Sequence, residues 1–270
     1  MRLLTALALL FATNLLHADS ISPVDKSDRV TDLIARNQME QAHELALEWQ
    51  ESAPDNASAA FWVGSTAGQL AMRSGMFKAM GFAKTSRKGF EKAVELKPND
   101  IRAQFSLMQF YLMAPGMMGG DKDEAKLIAQ RIAQQSKADG LRAQGQILAT
   151  EKDVDGWLRE NLAALQLAPA HPDVLGSVAS YYMGKSDFAT AKSVIDAAKA
   201  VDPDHVVVRY QYVKWAAMSG EELEPALATI DQMLKMPRYP DRFSLSGAHL
   251  RRGQILAKLG RKELAIAAYE

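Results

Sequence analysis

Cysteine is absent from the 270 residues. That single absence removes disulfides, thiolate metal sites, cysteine nucleophiles and a lipidated N-terminal cysteine. A surplus of either charge is also missing, because 32 basic side chains meet 32 acidic ones. A general nucleic-acid binder usually carries a basic bias, so nucleic acid is set aside as a partner. Long apolar runs are missing everywhere except the first residues, so no later segment is expected to span a bilayer. What remains, 48% hydrophobic and 24% charged, is an ordinary globular composition.

The one apolar run is MRLLTALALLFATNLLHADS. Arg2 supplies a short positive start, and Leu3 to Leu16 form an apolar core of about 14 residues, the length of a signal-peptide h-region. Ala18 is the candidate cleavage residue, with Asp19 opening the mature chain. The expectation is a signal peptide over 1–18 and a helical-repeat domain over 19–270, in the periplasm or outside the cell. An uncleaved anchor is the alternative, and it would need roughly 20 apolar residues.

Along the mature chain, prolines follow apolar helix tails in ESAPDN, ELKPND, LQLAPAHP, KAVDPDH and LKMPRYP. Pro169, Pro203 and Pro237 stand 34 residues apart. Proline cannot continue a helix, so it closes one unit and lets the next begin. Within 171–203, Leu175, Val178, Ala179 and Tyr182 make one stripe at helical spacing. Gly184 breaks that helix, Asp187 is placed to cap the next, and Phe188, Ala191, Ile195 and Ala198 make a second stripe. Neither helix can bury its stripe alone, so the pair must stack on neighbours.

The segment resembles the tetratricopeptide signature W-x2-L-G-x2-Y…A-x3-F…P at Leu175, Tyr182, Ala191 and Pro203, with Ile195 at the usual aromatic. Ala265 and Tyr269 repeat the pattern near the end, as do Phe90, Ala93 and Pro98, and Ala42 with Pro54. The resemblance covers nearly all of the mature chain. It implies an all-α, right-handed superhelical solenoid of about seven antiparallel helix pairs, near 23–54, 56–98, 99–138, 139–170, 171–203, 204–238 and 241–270. The second unit is long because MRSGMFKAMGFAKTS is read as inserted between its helices. The last stops inside its second helix and reads as incomplete.

The third unit is long for a different reason, the stretch FYLMAPGMMGGDKDEA. Pro115, Gly116, Met117, Met118, Gly119 and Gly120 tempt a phosphate-loop reading. The G-x-x-x-x-G-K-[ST] pattern fails, and Asp121 and Asp123 would repel a phosphate. Asp121 reads as a helix cap with Glu124 reaching back, and the glycines permit a reversal. The stretch is therefore an enlarged turn and a candidate contact element at the solenoid rim. It resembles an Ala-Pro-Gly-x-x-Gly-Gly loop in secreted bacterial tetratricopeptide proteins, a likeness that brings no activity with it.

Chemistry is hard to find. His43, His171, His205 and His249 are scattered singly, with no H-E-x-x-H spacing, and no G-x-S-x-G turn occurs. No enzyme activity and no cofactor is expected. Met72, Met76 and Met80 recur at i, i+4 and i+8, which on one helix would align three thioethers able to select Cu(I). A copper-handling protein is thus the alternative to packing or protein contact by these methionines.

By resemblance, the first helix of each pair lines a concave face that grips a peptide or a partner helix. Mapping the later units places Arg102, Phe105, Gln109, Arg142, Gln146, Gln211, Trp215 and Gln254 on that face. Glutamine amides can donate to and accept from a peptide backbone, while arginine and aromatic rings supply anchors. At least two rings of RYQYVKW are expected in the inter-helix core instead. The resulting expectation is a non-enzymatic interaction scaffold of the bacterial envelope with a protein or peptide partner.

Overall fold

Pro54, Pro98, Pro169 and Pro203 each fall two residues past a helix end, which is how the chain is divided into units. The computed structural model describes residues 23–240 and 243–269, so the expected signal peptide lies outside the described residues. Seven helix pairs follow in order: α1 (Pro23–Ala35) with α2 (Met39–Ser52), α3 (Ala57–Arg73) with α4 (Met76–Leu96), and α5 (Ile101–Met113) with α6 (Lys122–Gln135). Next come α7 (Lys137–Thr150) with α8 (Val154–Leu167), α9 (Pro172–Gly184) with α10 (Phe188–Val201), α11 (Val206–Ser219) with α12 (Leu223–Met233), and α13 (Leu245–Lys258) with α14 (Lys262–Tyr269). No strand occurs among the described residues, and no helix there is long and apolar enough to cross a membrane.

Local chemistry sets the boundaries. Asn56, Asp100, Asp153 and Asp187 each accept a backbone N–H in the first turn of the following helix. Lys152, Ser186 and Gly220, spaced 34 apart, take the left-handed conformation in the turns inside three successive pairs. Packing then works through small residues. Ala42, Ala46, Ala59, Ala60, Ala125, Ala143, Ala164, Ala179, Ala191, Ala198, Ala216 and Ala226 are all fully buried, so helices approach closely along the whole length.

The second pair departs from expectation. The residues read as an insertion form no loop; they lengthen both helices, which meet across Ser74 and Gly75 alone. At 1.5 Å per residue, the 21-residue α4 is about 32 Å long, about 10 Å more than its 14-residue counterparts α6, α8 and α10. Gly64 and Gly89 permit the close crossing of this hairpin. A Cβ on Gly89 would come within 2.5 Å of the Gly64 backbone nitrogen.

The linker between α12 and α13 makes one long-range contact. The Tyr239 N–H donates to Asp32 Oδ1 at 3.1 Å, and the Arg36 guanidinium lies 5.0 Å from the Tyr239 ring centroid. Tyr239 stacks on Phe243 with centroids 5.0 Å apart. The sixth and first pairs are thereby tied together.

A backbone atom cannot yield as a flexible side chain can, so Gly89→Ala should destabilise by about 1–3 kcal/mol, despite a helix preference worth about 1 kcal/mol in its favour. Gly81, also within α4, has nothing within 4 Å of an added Cβ. Gly81→Ala should therefore stabilise by about 0.5–1 kcal/mol. Urea unfolding of both variants checks the pair, and the same sign for both would contradict the close crossing.

Candidate functional site

Helices α1, α3, α5, α7 and α9, the first of five successive pairs, turn one side towards a shared basin of about 430 Å³. Ile34, Phe61, Arg102, Arg142 and Asp173 represent the five units in its lining. The Arg102 guanidinium lies over the Phe61 ring at 3.9 Å and over Trp62 at 4.4 Å. Arg142 lies over Phe105 at 3.4 Å, and its Nη2 meets Asp173 Oδ2 at 2.7 Å. Planar guanidinium groups suit stacking and forked pairing together, which a lysine could not reproduce.

A second polar chain runs beside these. Ser136 caps α7 and donates its hydroxyl to Asp139 Oδ2 at 2.7 Å, while His171 Nε2 sits 2.9 Å from Asp139 Oδ1. The His171 bond is the main cause that holds the Asp139 carboxyl below its ordinary range, with Ser136 and Arg142 assisting against burial. The basin thus presents two arginines, two aspartates, a histidine and amides against aromatic walls. That set can meet polar groups with charge and hydrogen bonds, while Ser136 stays outside the lining as the cap of α7.

The expected site residues divide. Arg102, Phe105, Gln109 and Arg142 come together in the basin, although Phe105 is buried beneath Arg142 rather than open to a ligand. Gln146 is half-buried on α7 outside the lining. Gln254 lies near the C-terminal end and accepts a bond from Arg251 Nη1 at 2.8 Å. Gln211 is buried beside Gly176, with its amide nitrogen facing that backbone.

Trp215 is the clearest correction. It is 2% exposed, and its indole N–H donates to the Phe188 carbonyl at 2.9 Å. The reason lies in α11, which is apolar on most of its circumference, so spacing could not say which side faces the groove. Phe61, Trp62, Asp139 and His171 went unrecognised. Carrying the groove positions back into the second unit would have found the adjacent Phe61 and Trp62. Nothing local marks His171, whose partner lies 32 residues away.

The glycine loop is an ordered turn. Gly116–Met118 form one turn of 3-10 helix, Gly119 takes a φ of 94°, and the Asp121 carboxylate accepts from the Asp123 and Glu124 N–H groups. The Asp121 N–H itself goes to the Tyr111 carbonyl, so Glu124 is not what caps it. Burial, then the hydrogen bond to Glu91, pushes the Tyr111 hydroxyl up to about 12. The three-thioether face does not form either. Met72 belongs to α3, whereas Met76 and Met80 belong to α4. Among the described residues no group of three His, Asp or Glu could hold a metal ion.

A family model described as tetratricopeptide repeat matches residues 246–270. No curated protein matches the sequence. Human IFIT1, solved as a dimer with m7Gppp-AAAA, is similar at a TM-score of 0.51 and 16% identity, over 86% of this chain and 54% of that one. A monomeric IFIT1 mutant with Gppp-AAAA gives 0.52 at the same identity and coverage. A Pseudomonas aeruginosa pilF structure gives 0.44 at 16% identity, over 76% of this chain and 88% of that one. This chain spans about half the length of the IFIT1 chains. Together the fold and the matched repeat define a helical-repeat solenoid that carries a tetratricopeptide repeat.

Two outcomes follow from the geometry. Trp215→Ala should cost about 3–5 kcal/mol through the cavity it leaves, measured by urea unfolding; a loss below 1 kcal/mol would contradict the burial of the indole. Folding lowers the Asp139 pKa, so ionisation stabilises the fold above its ordinary value of 3.8 and that stabilisation is lost as pH falls through the lower folded value. Between pH 5 and 2 the wild type should lose more stability than Asp139→Asn; identical slopes would remove the His171 bond as the cause.

Proposed function

We propose that this protein is a non-enzymatic interaction scaffold of the bacterial cell envelope that binds an extended peptide in its concave basin. The observation that carries the reading is the basin itself, assembled from the first helices of five consecutive units. Helical-repeat scaffolds use such concave surfaces to hold extended partners. Ser65, Gln69, Ser106 and Gln109 line it with groups that can both donate and accept, as a peptide backbone requires. Phe61 and Trp62 are buried beneath Arg102 and serve as the platform that holds its guanidinium towards the basin. The signal-like first 18 residues support placement outside the cytoplasm.

The IFIT1 structures hold Gppp-AAAA or m7Gppp-AAAA, ligands rich in phosphate. A phosphate backbone calls for surplus positive charge, and this chain has none overall. Within the basin Arg142 is matched by Asp173 and lies 3.7 Å from Asp139. A protein segment suits that balance better than a polyanion.

The test is retention of peptides from a cell-envelope protein digest on the immobilised protein, read by mass spectrometry. Arg102→Gln with Arg142→Gln should cut retention at least tenfold, about 1.4 kcal/mol, with the far-ultraviolet circular dichroism unchanged. Equal retention by the variant would eliminate the basin as the binding site.

A further inference from the structure

The concave surface does not end with the basin. A notch of about 240 Å³ between α9 and α11 shares Pro172 and Asp173 with it and reaches Tyr210 and Gln211. Gly176 keeps the passage open, since a Cβ there would meet only the Gln211 amide nitrogen, at 3.5 Å. Asp173, Gly176, Ser177 and Ser180 recur at i, i+3, i+4 and i+7 on α9. Val207, Tyr210, Gln211 and Lys214 repeat that spacing 34 residues later on α11. Ser180 and Lys214 therefore lie one turn further along the two faces that form the notch. Across the seam, a Cβ on Gly247 of α13 would come within 2.7 Å of the Tyr210 hydroxyl. Arg251, Gln254 and Lys258 follow Gly247 at i+4, i+7 and i+11, on the same side of that helix.

Charge on this stretch is one-sided. Helices α11 and α13 contain no Asp or Glu, and the single carboxylate of α9 is Asp173, which meets Arg142 at 2.7 Å. Two cations turn away towards α12, where Arg209 donates to Gln232 and Arg252 pairs with Asp231. Lys214 and Arg251 stay on the concave side, and their partners are neutral. Lys214 Nζ donates to the Ser180 hydroxyl at 2.7 Å, and that hydroxyl donates in turn to the Gly176 carbonyl. Arg251 Nη1 donates to Gln254 Oε1 at 2.8 Å, while its Nε is buried with no partner among the described residues. Lys258, further along, donates to the Met218 carbonyl. Burial first, then the Arg251 charge, hold the Lys214 amine below its ordinary range, so the two cations are near enough to oppose each other. Two half-buried like charges with unused donors are unfavourable alone, and an anion between them relieves both the repulsion and the lost hydration.

We infer that the peptide held in the basin continues over α9 and α11, and that Lys214 and Arg251 receive the carboxylate of one of its acidic side chains. The inference rests on the basin reading for the class of partner and adds its course and its charge. Bonds from ammonium and guanidinium groups to a carboxylate are of the stronger, charge-assisted kind. One carboxylate suffices for the pair, whereas a run of phosphates would also have to pass the Asp139 and Asp173 carboxylates beside Arg142.

A tryptic digest of cell-envelope proteins on the immobilised protein tests it, with retained and input peptides compared by mass spectrometry. Every tryptic peptide carries one terminal carboxylate, so a preference for Asp or Glu content reads side chains alone. Peptides with Asp or Glu should be enriched by about tenfold over acid-free ones. Lys214→Gln with Arg251→Gln should abolish that preference while acid-free peptides are retained as before, with the far-ultraviolet circular dichroism unchanged. Arg251→Lys, which keeps the charge, should keep the preference. No enrichment, or enrichment that survives the double change or is lost in Arg251→Lys, overturns the inference. Retention that is abolished by amidating the carboxylates, yet shows no preference for Asp or Glu, also overturns it by assigning the pair to a chain terminus. So does anisotropy showing that a short oligouridylate binds while no peptide is retained, which would assign the face to nucleic acid. Equal retention by Arg102→Gln with Arg142→Gln would sink the basin reading alone if the preference is present, and an absent preference with retention lost in that variant would sink this one alone. A wild type that retains no peptide sinks both.

Discussion

The constraint on which this structure depends is that no helix pair can bury its own apolar stripes. A lone pair of helices of 11–14 residues leaves one face of each uncovered, and only the next pair can cover it. Alanine is what makes the covering close. Ala164, Ala179, Ala191, Ala198 and Ala216, all fully buried, fall on successive helices and let backbones meet with little side-chain entropy to lose. Larger groups such as Trp49, Met108, Ile132, Leu175 and Ile230 then fill the spaces between layers. The cost of this arrangement is directional. A stack of layers has two faces that packing does not claim, and function is free to settle there.

Two irregularities that look unrelated along the chain meet in space. The second unit is lengthened at its hairpin, and the third is lengthened at its turn. Arg87 of α4 lies against Gly119, where an added Cβ would come within 3.3 Å of its side chain. Gly120 is equally fixed, since a Cβ there would collide with the Ala114 carbonyl. Tyr111 reaches Glu91 across the same seam with a 3.0 Å bond, and its carbonyl holds the Asp121 N–H that ends the loop. The long hairpin therefore acts as a wall for the long turn. Without the long hairpin, the loop would lose the Arg87 side chain against Gly119 and the Glu91 partner of Tyr111.

This pattern explains what could be read from residues alone. The seven pairs and their boundaries were legible because proline, caps and 3.6-residue stripes are local signals, and each is repeated. The lengthening of α3 and α4 was not. Gly75 and Gly81 look like breaks, yet Gly75 serves as the start of α4 and Gly81 is carried within it. Four of the eight expected groove residues line the basin, for a similar reason. In α5 and α7 one side is plainly polar, so Arg102, Gln109 and Arg142 could be placed. In α11 buried residues occupy most positions from Val207 to Ala217, and pattern cannot tell the concave side from the interior. The Asp139–His171 bond is a long-range fact that no local window contains.

The contact between Asp32 and Tyr239 gives the solenoid a property that stacking alone does not. In a simple array each unit feels only its neighbours, and the two ends are independent. Here a bond spans 207 positions and joins the first pair to the linker after the sixth. Burial works to raise the Asp32 carboxyl, but the bonds from Arg36 and the Tyr239 N–H outweigh it and leave the group below its ordinary value. Ile34, two residues further along α1, lines the basin. The tie thus holds α1, which gives Ile34 to the basin, at a second point besides helix stacking. A ligand that wedges α1 outward must work against a charge-assisted bond, whereas one that follows the existing curvature need not. That asymmetry is consistent with the thin, extended occupant proposed for the basin.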